Sequence, residues 1–436
     1  EKALVFGGDT LTATDIADYG TAVDNAALSG TANVWALRIG AAASNETTLT
    51  GGQINIHSGG LIVDNNNAVG SVNFDTTAVY FGDGTTSREG VIYNDASGIT
   101  TRMGGVVTAA NLTVHGPGQL QLTNVANAIT GNIQMNGGTL FADGPGSLGT
   151  ASVTMAGDWL QNNDGQMLAE IRLRTNNNAN GTFNNSIILA ENMAYARLFG
   201  ERFTGTSTAA ATVTIPTLTI LGTNTLQGTS LIVNNSTTTN SANTYSINVS
   251  GATTINGSGA VGLHVQSQTL FLTGAVSASA PLIKSGAGTI QLLANNTGLT
   301  SGMTVNGGEI RGIGNNSNNF FGTGDYTLNF GTLRVSSSAT TAQFAAAGQD
   351  LVFAGTINLV NDRNGGAART ITYGTNNGTN TYRTINGTQV RIRSDSSDSI
   401  VLEGKTFVND NATFFLDAGA VFLRDTFAGS GIFVKS

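Results

Sequence analysis

Apolar and polar residues alternate with a period of two along most of the chain, in runs of only four or five positions. Gln53-Ile54-Asn55-Ile56-His57, Gly60-Leu61-Ile62-Val63, Thr217-Leu218-Thr219-Ile220, Thr269-Leu270-Phe271-Leu272 and Val390-Arg391-Ile392-Arg393 are examples. Successive side chains of a strand point to opposite faces, so each run predicts a short, half-buried β-strand. Gly or Asn flanks nearly all of them and supplies tight turns. Asn-Gly pairs recur at Asn136-Gly137, Asn256-Gly257, Asn306-Gly307, Asn377-Gly378 and Asn386-Gly387. Taken singly, such a pair predicts a type I′ hairpin. That reading fits poorly if the same unit returns at a longer fixed period.

Such a period exists. Val114-His115-Gly116-Pro117-Gly118-Gln119-Leu120-Gln121-Leu122 matches Lys284-Ser285-Gly286-Ala287-Gly288-Thr289-Ile290-Gln291-Leu292, with Gly116 on Gly286. The same offset aligns Met135-Asn136-Gly137-Gly138-Thr139-Leu140 with Val305-Asn306-Gly307-Gly308-Glu309-Ile310, and the match needs no gap. Within each copy the strand residue recurs one short rung later, Leu120 to Leu140 and Ile290 to Ile310. A rung of that length, made of short strands and glycine turns, predicts a parallel β-solenoid. Inward alternates then stack into a narrow apolar interior, and Thr, Asn and Ser face outward. A stack of β-sandwiches is the competing reading. The gap-free match and the absence of linkers favour the solenoid, with roughly 20 coils of about 20 to 22 residues.

Composition sharpens this picture. The 436 residues include 58 Gly, 4 Pro and no Cys, and only 11% are charged. Disulfides, thiolate metal sites and a cysteine nucleophile are therefore excluded. Lys occurs only at Lys2, Lys284, Lys405 and Lys435. A net charge of −8 argues against nucleic acid as a partner, because binding it needs a basic face. No apolar run is long enough for a membrane-spanning helix. The chain opens at Glu1 rather than Met and has no basic-then-apolar leader, so a preceding piece is expected to be removed or left out. No linker or charge block divides it, and the expectation is a single continuous solenoid over 1–436. Its repeat modules are placed at approximately 114–283 and 284–436, with 1–113 as a related N-terminal portion.

The string Ile283-Lys284-Ser285-Gly286-Ala287-Gly288-Thr289-Ile290-Gln291-Leu292, then Asn295-Asn296-Thr297 and Val305-Asn306-Gly307-Gly308-Glu309-Ile310, resembles the bacterial autotransporter-associated β-strand repeat. The copy at 114–140 is similar but carries Val114 at the lysine position. The strong resemblance covers two stretches of roughly 30 residues each, and a weaker one covers most of the chain. The resemblance implies an exported, passenger-type surface protein of a bacterium. It also implies a right-handed parallel β-helix, making the fold class all-β. The chain departs from the full passenger pattern by lacking a C-terminal membrane barrel.

The two ends are the candidate assembly sites. Gly429-Ser430-Gly431-Ile432-Phe433-Val434-Lys435-Ser436 resembles the lead-in to another copy, without the Gly-x-Gly that follows elsewhere. Either the chain belongs to a longer array or this end is used differently. Leu4, Val5 and Phe6 at one end, and Ile432, Phe433 and Val434 at the other, are apolar strand residues with no capping sequence over them. Open strand edges of this kind pair with other chains. Head-to-tail self-association into a fibre is therefore expected.

Chemistry-bearing residues are sparse. His57, His115 and His264 are far apart and lack metal spacing. Asp158, Asp164 and Glu170, and again Asp395, Asp398 and Glu403, are the densest carboxylates that a glycan-cleaving pair would need. Solvated turn charges explain both groups more simply. Asp362 with Asn361 and Asn364, and Asp64 with Asn65, Asn66 and Asn67, are the candidate calcium loops. One segment, 156–205, departs from the pattern with Trp159, Arg172, Arg174, Glu191, Arg197, Glu201 and Arg202, and Ala190–Phe199 fits a short helix. The resulting expectation is a non-catalytic structural or adhesive rod, extracellular or on a bacterial cell surface. It uses no cofactor and no metal. Its partners are copies of itself and surface glycans. The alternative is a β-helical glycan-binding or glycan-cleaving surface enzyme.

Overall fold

The structure is a computed structural model. It describes residues 2–3, 12–19, 25–40, 46–64, 71–95, 100–157, 168–176, 179–191, 193, 195–205, 209–222, 229–233, 245–314, 319–337, 341–343, 349–363, 370–374, 381–384, 388–394, 398–408, 412–417, 420–424 and 427–435. Leu4, Val5 and Phe6, Asp158, Trp159 and Asp164, Asn65 to Asn67, Asn364, Asp395 and the Asn-Gly pairs at 377 and 386 lie outside the described residues.

The described residues form strands and turns and contain no helix. The strands named below pair in parallel, each with the equivalent strand one rung on, and the chain is a parallel β-helix. Contacts divide it into two compact units, Glu1–Pro216 with Ser236–Tyr245, and Thr217–Asn235 with Ser246–Ser436.

The first unit has three strand faces. One stacks Lys2–Ala3, Ile16–Tyr19, Ala36–Gly40, Gly60–Asp64, Glu89–Asn94, Asn111–His115, Asn132–Met135, Ser152–Met155 and Ile187–Leu189 in order. A second stacks Thr31–Val34, Gln53–Ile56, Ala78–Phe81, Val107–Ala109 and Ala128–Ile129. The third runs from Asn25–Ala27 through Gln119–Leu122 and Gly138–Asp143 to Leu168–Asn176 and Tyr195–Thr204. Alternation makes the core. Ala17, Leu37, Leu61, Ile92, Val114, Met135, Met155 and Leu189 form one inward column, all buried. Leu120, Leu140, Ile171 and Leu198 form another.

The second unit repeats the scheme, and its rungs lengthen beyond Ile310. Leu270, Ile290, Ile310, Leu333, Leu359, Ile392 and Leu416 are successive register partners. From Ile310 onward two faces fuse, because Tyr326–Ser337 and Leu351–Arg363 run through the corner as single long strands. Their pairing slips between Leu328 and Phe330, a bulge that turns the corner. Phe320, Phe321 and Tyr326 fill the broader interior, with Phe321 and Tyr326 edge to face at 6.0 Å.

The Asn-Gly pairs at 136 and 306 close rung turns and do not form hairpins. Asn136 N donates to Val114 O and Asn306 N to Lys284 O, both one rung back. The Gly-x-Gly turns are sterically required. A Cβ on Gly286 would stand 2.3 Å from Val265 O, and one on Gly118 would strike the Asn94 side chain. The antiparallel bridge Gly82 with Ser87 closes a small excursion. There Asp83 accepts from Thr85 N, Thr85 Oγ1 and Thr86 N, and these bonds hold its carboxyl well below the usual range.

Two expectations change. Of the residues read as a helix, Tyr195 to Phe199 run instead in the strand Tyr195–Thr204, because Ala196 and Leu198 alternate into the core and pair with Ala169 and Ile171. The offset that sets Gly116 on Gly286 also carries a one-residue slip. Counting would match Asn127 with Thr297, but Asn127 and Asn296 fill the same corner.

Candidate functional site

The described histidines, and the carboxylates Asp64, Asp362 and Glu403, are bound into rung-to-rung contacts. His57 lies 3.4 Å from Asn33 Oδ1, His115 takes the Asn136 amide at 3.2 Å from Nε2, and His264 Nδ1 is 2.9 Å from Ser285 Oγ. Burial, and secondarily the charge of Lys284, push the His264 pKa down. Asp362 faces Arg311 at 3.3 Å and Arg334 at 3.4 Å, so its charge is neutralised by guanidinium groups rather than offered to a cation. Asp64 is paired with Arg38. Asn361 lies inside, donating to Ser394 Oγ and Asp398 Oδ2. Glu403 pairs with Arg424 at 3.1 Å. Among the described residues no group of three His, Asp or Glu is arranged to hold a metal.

The charge-rich segment forms a ladder across three rungs. Phe141 and Asp143 stand on the first, Glu170, Arg172 and Arg174 on the second, and Arg197, Phe199 and Glu201 on the third. Arg172 pairs with Glu170 and reaches Glu201 at 3.2 Å; Arg174 pairs with Asp143; Arg197 reaches Glu170 at 3.4 Å. The guanidinium of Arg172 lies 5.3 Å from the ring centroids of both Phe141 and Phe199, and that of Arg174 is 4.4 Å from Phe141. Three carboxylates thus meet three guanidiniums on a face where the acids are almost buried. The arrangement locks rungs in register. Asp143 and Phe141 fall outside the stretch that composition singles out, and only strand pairing across the longer rungs here reveals them.

Among the described residues Lys284 is the most deeply placed cation. Its neighbours in register are Leu263 and Val305, so it occupies an inward, otherwise apolar column. Its Nζ donates to the carbonyls of Ser285, Gly286 and Gly307, each at 2.9 Å. Two successive turns are thereby joined through one ammonium. Burial holds its pKa down at about 8. Gly308 belongs to the same device, since a Cβ there would stand 2.6 Å from Nζ. At the matching position of the earlier copy, Val114 simply continues the apolar column.

Of the candidate assembly residues, Ile432, Phe433 and Val434 lie in the strand Ile432–Lys435, paired on one side with Thr413–Asp417. They are exposed to 57%, 39% and 37%, and Phe433 stacks on Phe414 with ring centroids 5.1 Å apart. Phe422 and Leu423, on Ala420–Arg424, are exposed as well. A second group of exposed apolar residues, Ile16, Trp35, Ile62, Val91 and Tyr93, lies in the first unit. For three of them the sequence signal is three apolar residues in succession: Leu61-Ile62-Val63 leaves Ile62 facing outward, and Val91-Ile92-Tyr93 leaves Val91 and Tyr93 outward. Comparison of the chain with family models, with curated proteins and with solved structures finds no match in any of the three.

Proposed function

We propose that this chain is a non-catalytic structural rod segment, exported to the surface of a bacterium or beyond it. Further rungs extend it by parallel strand addition, and surface glycans are its other partner. The observation that carries this reading is how the polar chemistry is spent: the histidines, the ion ladder and Lys284 bind one rung to the next. The exposed row Ile432, Phe433 and Val434 supports the extension. An apolar row along a strand edge favours a further parallel strand over water. That strand is a further rung of a longer array or, in the fibre we propose, one from a second copy of this chain, and a head-to-tail contact of that kind propagates into a filament. The sequence resemblance of 114–140 and 284–310 to the autotransporter-associated repeat fits such a role and rests on those residues alone.

Sedimentation and negative-stain imaging of the 436-residue chain test this. The expected result is concentration-dependent polymers. Phe433→Asp, or deletion of residues 1–8, should abolish them while the far-ultraviolet strand signal persists. Particles that remain monomeric at high concentration with both ends intact overturn the filament. Hydrolysis of a glycan by the purified chain overturns the non-catalytic reading.

A further inference from the structure

Outward side chains on the first unit's longest face are mostly polar, as a solvated strand surface requires. Four consecutive rungs break the rule. Register places Ile16, Ala36, Gly60 and Val91 in one outward column, followed by Thr113. The neighbouring outward column holds Arg38, Ile62 and Tyr93, followed by His115. Trp35 stands at the corner beside Ala36 and is 48% exposed. Exposed apolar residues scattered singly are ordinary; here Ile16, Trp35, Ile62, Val91 and Tyr93 share one face over neighbouring rungs.

The middle of the set is a shelf. Ala36 is small and Gly60 has no side chain, so Trp35, Ile62 and Val91 surround a dip. The backbone does not demand this glycine. A Cβ on Gly60 would meet Ser58 Oγ at 3.4 Å and Ala36 Cβ at 3.9 Å, ordinary contacts, and its φ is not positive. Its neighbour Gly59 differs, with φ of 80° and a Cβ that would stand 2.0 Å from Glu89 O. Gly59 serves the turn; Gly60 serves the surface above it.

Size and charge decide the occupant. Three rung steps span about 14 Å and two outward positions with the corner about 10 Å. The shelf is therefore on the order of 150 Å², far below the roughly 800 Å² per partner of a stable protein interface. The rim is polar, and its cation is already paired: Arg38 with Asp64. Glu89 accepts from Thr113 Oγ1 at 2.6 Å, and Tyr93 OH donates to Asp95 at 3.2 Å. A ligand that is apolar on its flat face, hydroxylated at its edge and without net charge matches this surface. We infer that the shelf binds an uncharged oligosaccharide, with Trp35 and Tyr93 as ring platforms. The inference rests on the reading of glycans as partners, and it is independent of the strand-edge contact at Ile432 to Val434.

Isothermal titration calorimetry of the full chain tests it, using laminarihexaose, cellohexaose, mannohexaose and xylohexaose as neutral probes and hexagalacturonate as the anionic one. Saturable binding of at least one neutral hexamer is expected. Trp35→Ala and Gly60→Val should each weaken it by about tenfold or more, while Val125→Ser, exposed elsewhere, leaves it unchanged. Gly60→Val fills the dip at a position that accepts a side chain, so it separates loss of the site from loss of fold. No neutral hexamer bound at millimolar concentration, equal affinity in Trp35→Ala and Gly60→Val to that of the native chain, or tighter binding of hexagalacturonate would each overturn the inference. Saturable neutral binding that both variants leave intact keeps glycans as partners and removes only the shelf.

Discussion

Asn127 and Asn296 make the same clasp in two distant rungs. Asn127 Oδ1 accepts from Val107 N at 2.8 Å and its Nδ2 donates to Ser147 O at 2.8 Å. Asn296 accepts from Val276 N at 2.8 Å and donates to Phe320 O at 2.6 Å. Each amide thus spans three rungs from a buried corner, satisfying a strand-opening N–H that has no ladder partner. Asn296→Ala strands a donor and an acceptor together, and chemical denaturation should show a loss of about 2–4 kcal/mol. Asn296→Asp keeps the acceptor and sets a carboxylate against Phe320 O. That variant should regain stability as pH falls and the carboxyl protonates. An unchanged denaturation midpoint in Asn296→Ala would show that water serves the corner equally well.

A second prediction concerns the ion ladder. Arg172→Ala removes the partner that Glu170 and Glu201 share and leaves both acids nearly buried. Breaking a buried pair on one side costs about 3–5 kcal/mol. Replacing both charges, as Arg172→Met with Glu201→Gln, should recover part of that loss, since the two sites are in contact and do not add. Equal or greater loss in the double variant, read by thermal unfolding, would contradict the coupling.

Much of this architecture was legible in the sequence, and for a definite reason. Rung stacking requires the same inward position to be apolar once in every rung, so Leu120 with Leu140 and Ile290 with Ile310 could be paired by counting, and they are register partners. Counting fails where rung length changes. Leu359 pairs with Ile392 over a much longer rung, across a stretch with no Gly-x-Gly marker. It fails again at Tyr195–Thr204, whose Ala, Arg, Leu and Glu content favours a helix until tertiary pairing overrides it. The exposed shelf was hidden for another reason. Trp35, Ile62 and Tyr93 lie on different rungs, and only register shows that they share a face.

Leu292→Asp tests the inward columns directly. Leu292 is buried, with Leu272 and Gly312 as its register partners. A carboxylate placed there has no cation to meet, and the penalty should be several kcal/mol, about 3–5. Gln291, the residue before it, points the other way and is half-exposed. Gln291→Asp should change stability by only about 0.5 kcal/mol. Similar denaturation midpoints for the two variants would refute the alternation on which the fold rests.

Lys284 supplies the last prediction, and its sign follows from burial. Its ammonium sits in an apolar column with three carbonyl oxygens as its ligands. Desolvation lowers its pKa from 10.5 to about 8 in the folded chain. Between those values the unfolded chain holds a proton that the folded chain has released. Stability therefore rises with pH across this window and is insensitive to this group below it. Two effects are separable in Lys284→Met. The variant loses the donor shared by Ser285, Gly286 and Gly307, so near neutral pH it should be less stable by about 2–3 kcal/mol. It also loses the titration, so its deficit relative to the native chain should widen as pH rises from about 8 toward 10.5. Taking the difference between the two chains cancels the buried tyrosines Tyr326, Tyr373 and Tyr382, whose raised pKa values are common to both. Urea unfolding of both proteins at a series of pH values reads the result. A deficit that stays constant across the window would mean that Lys284 titrates as a solvated amine and that its carbonyl cage is open to water.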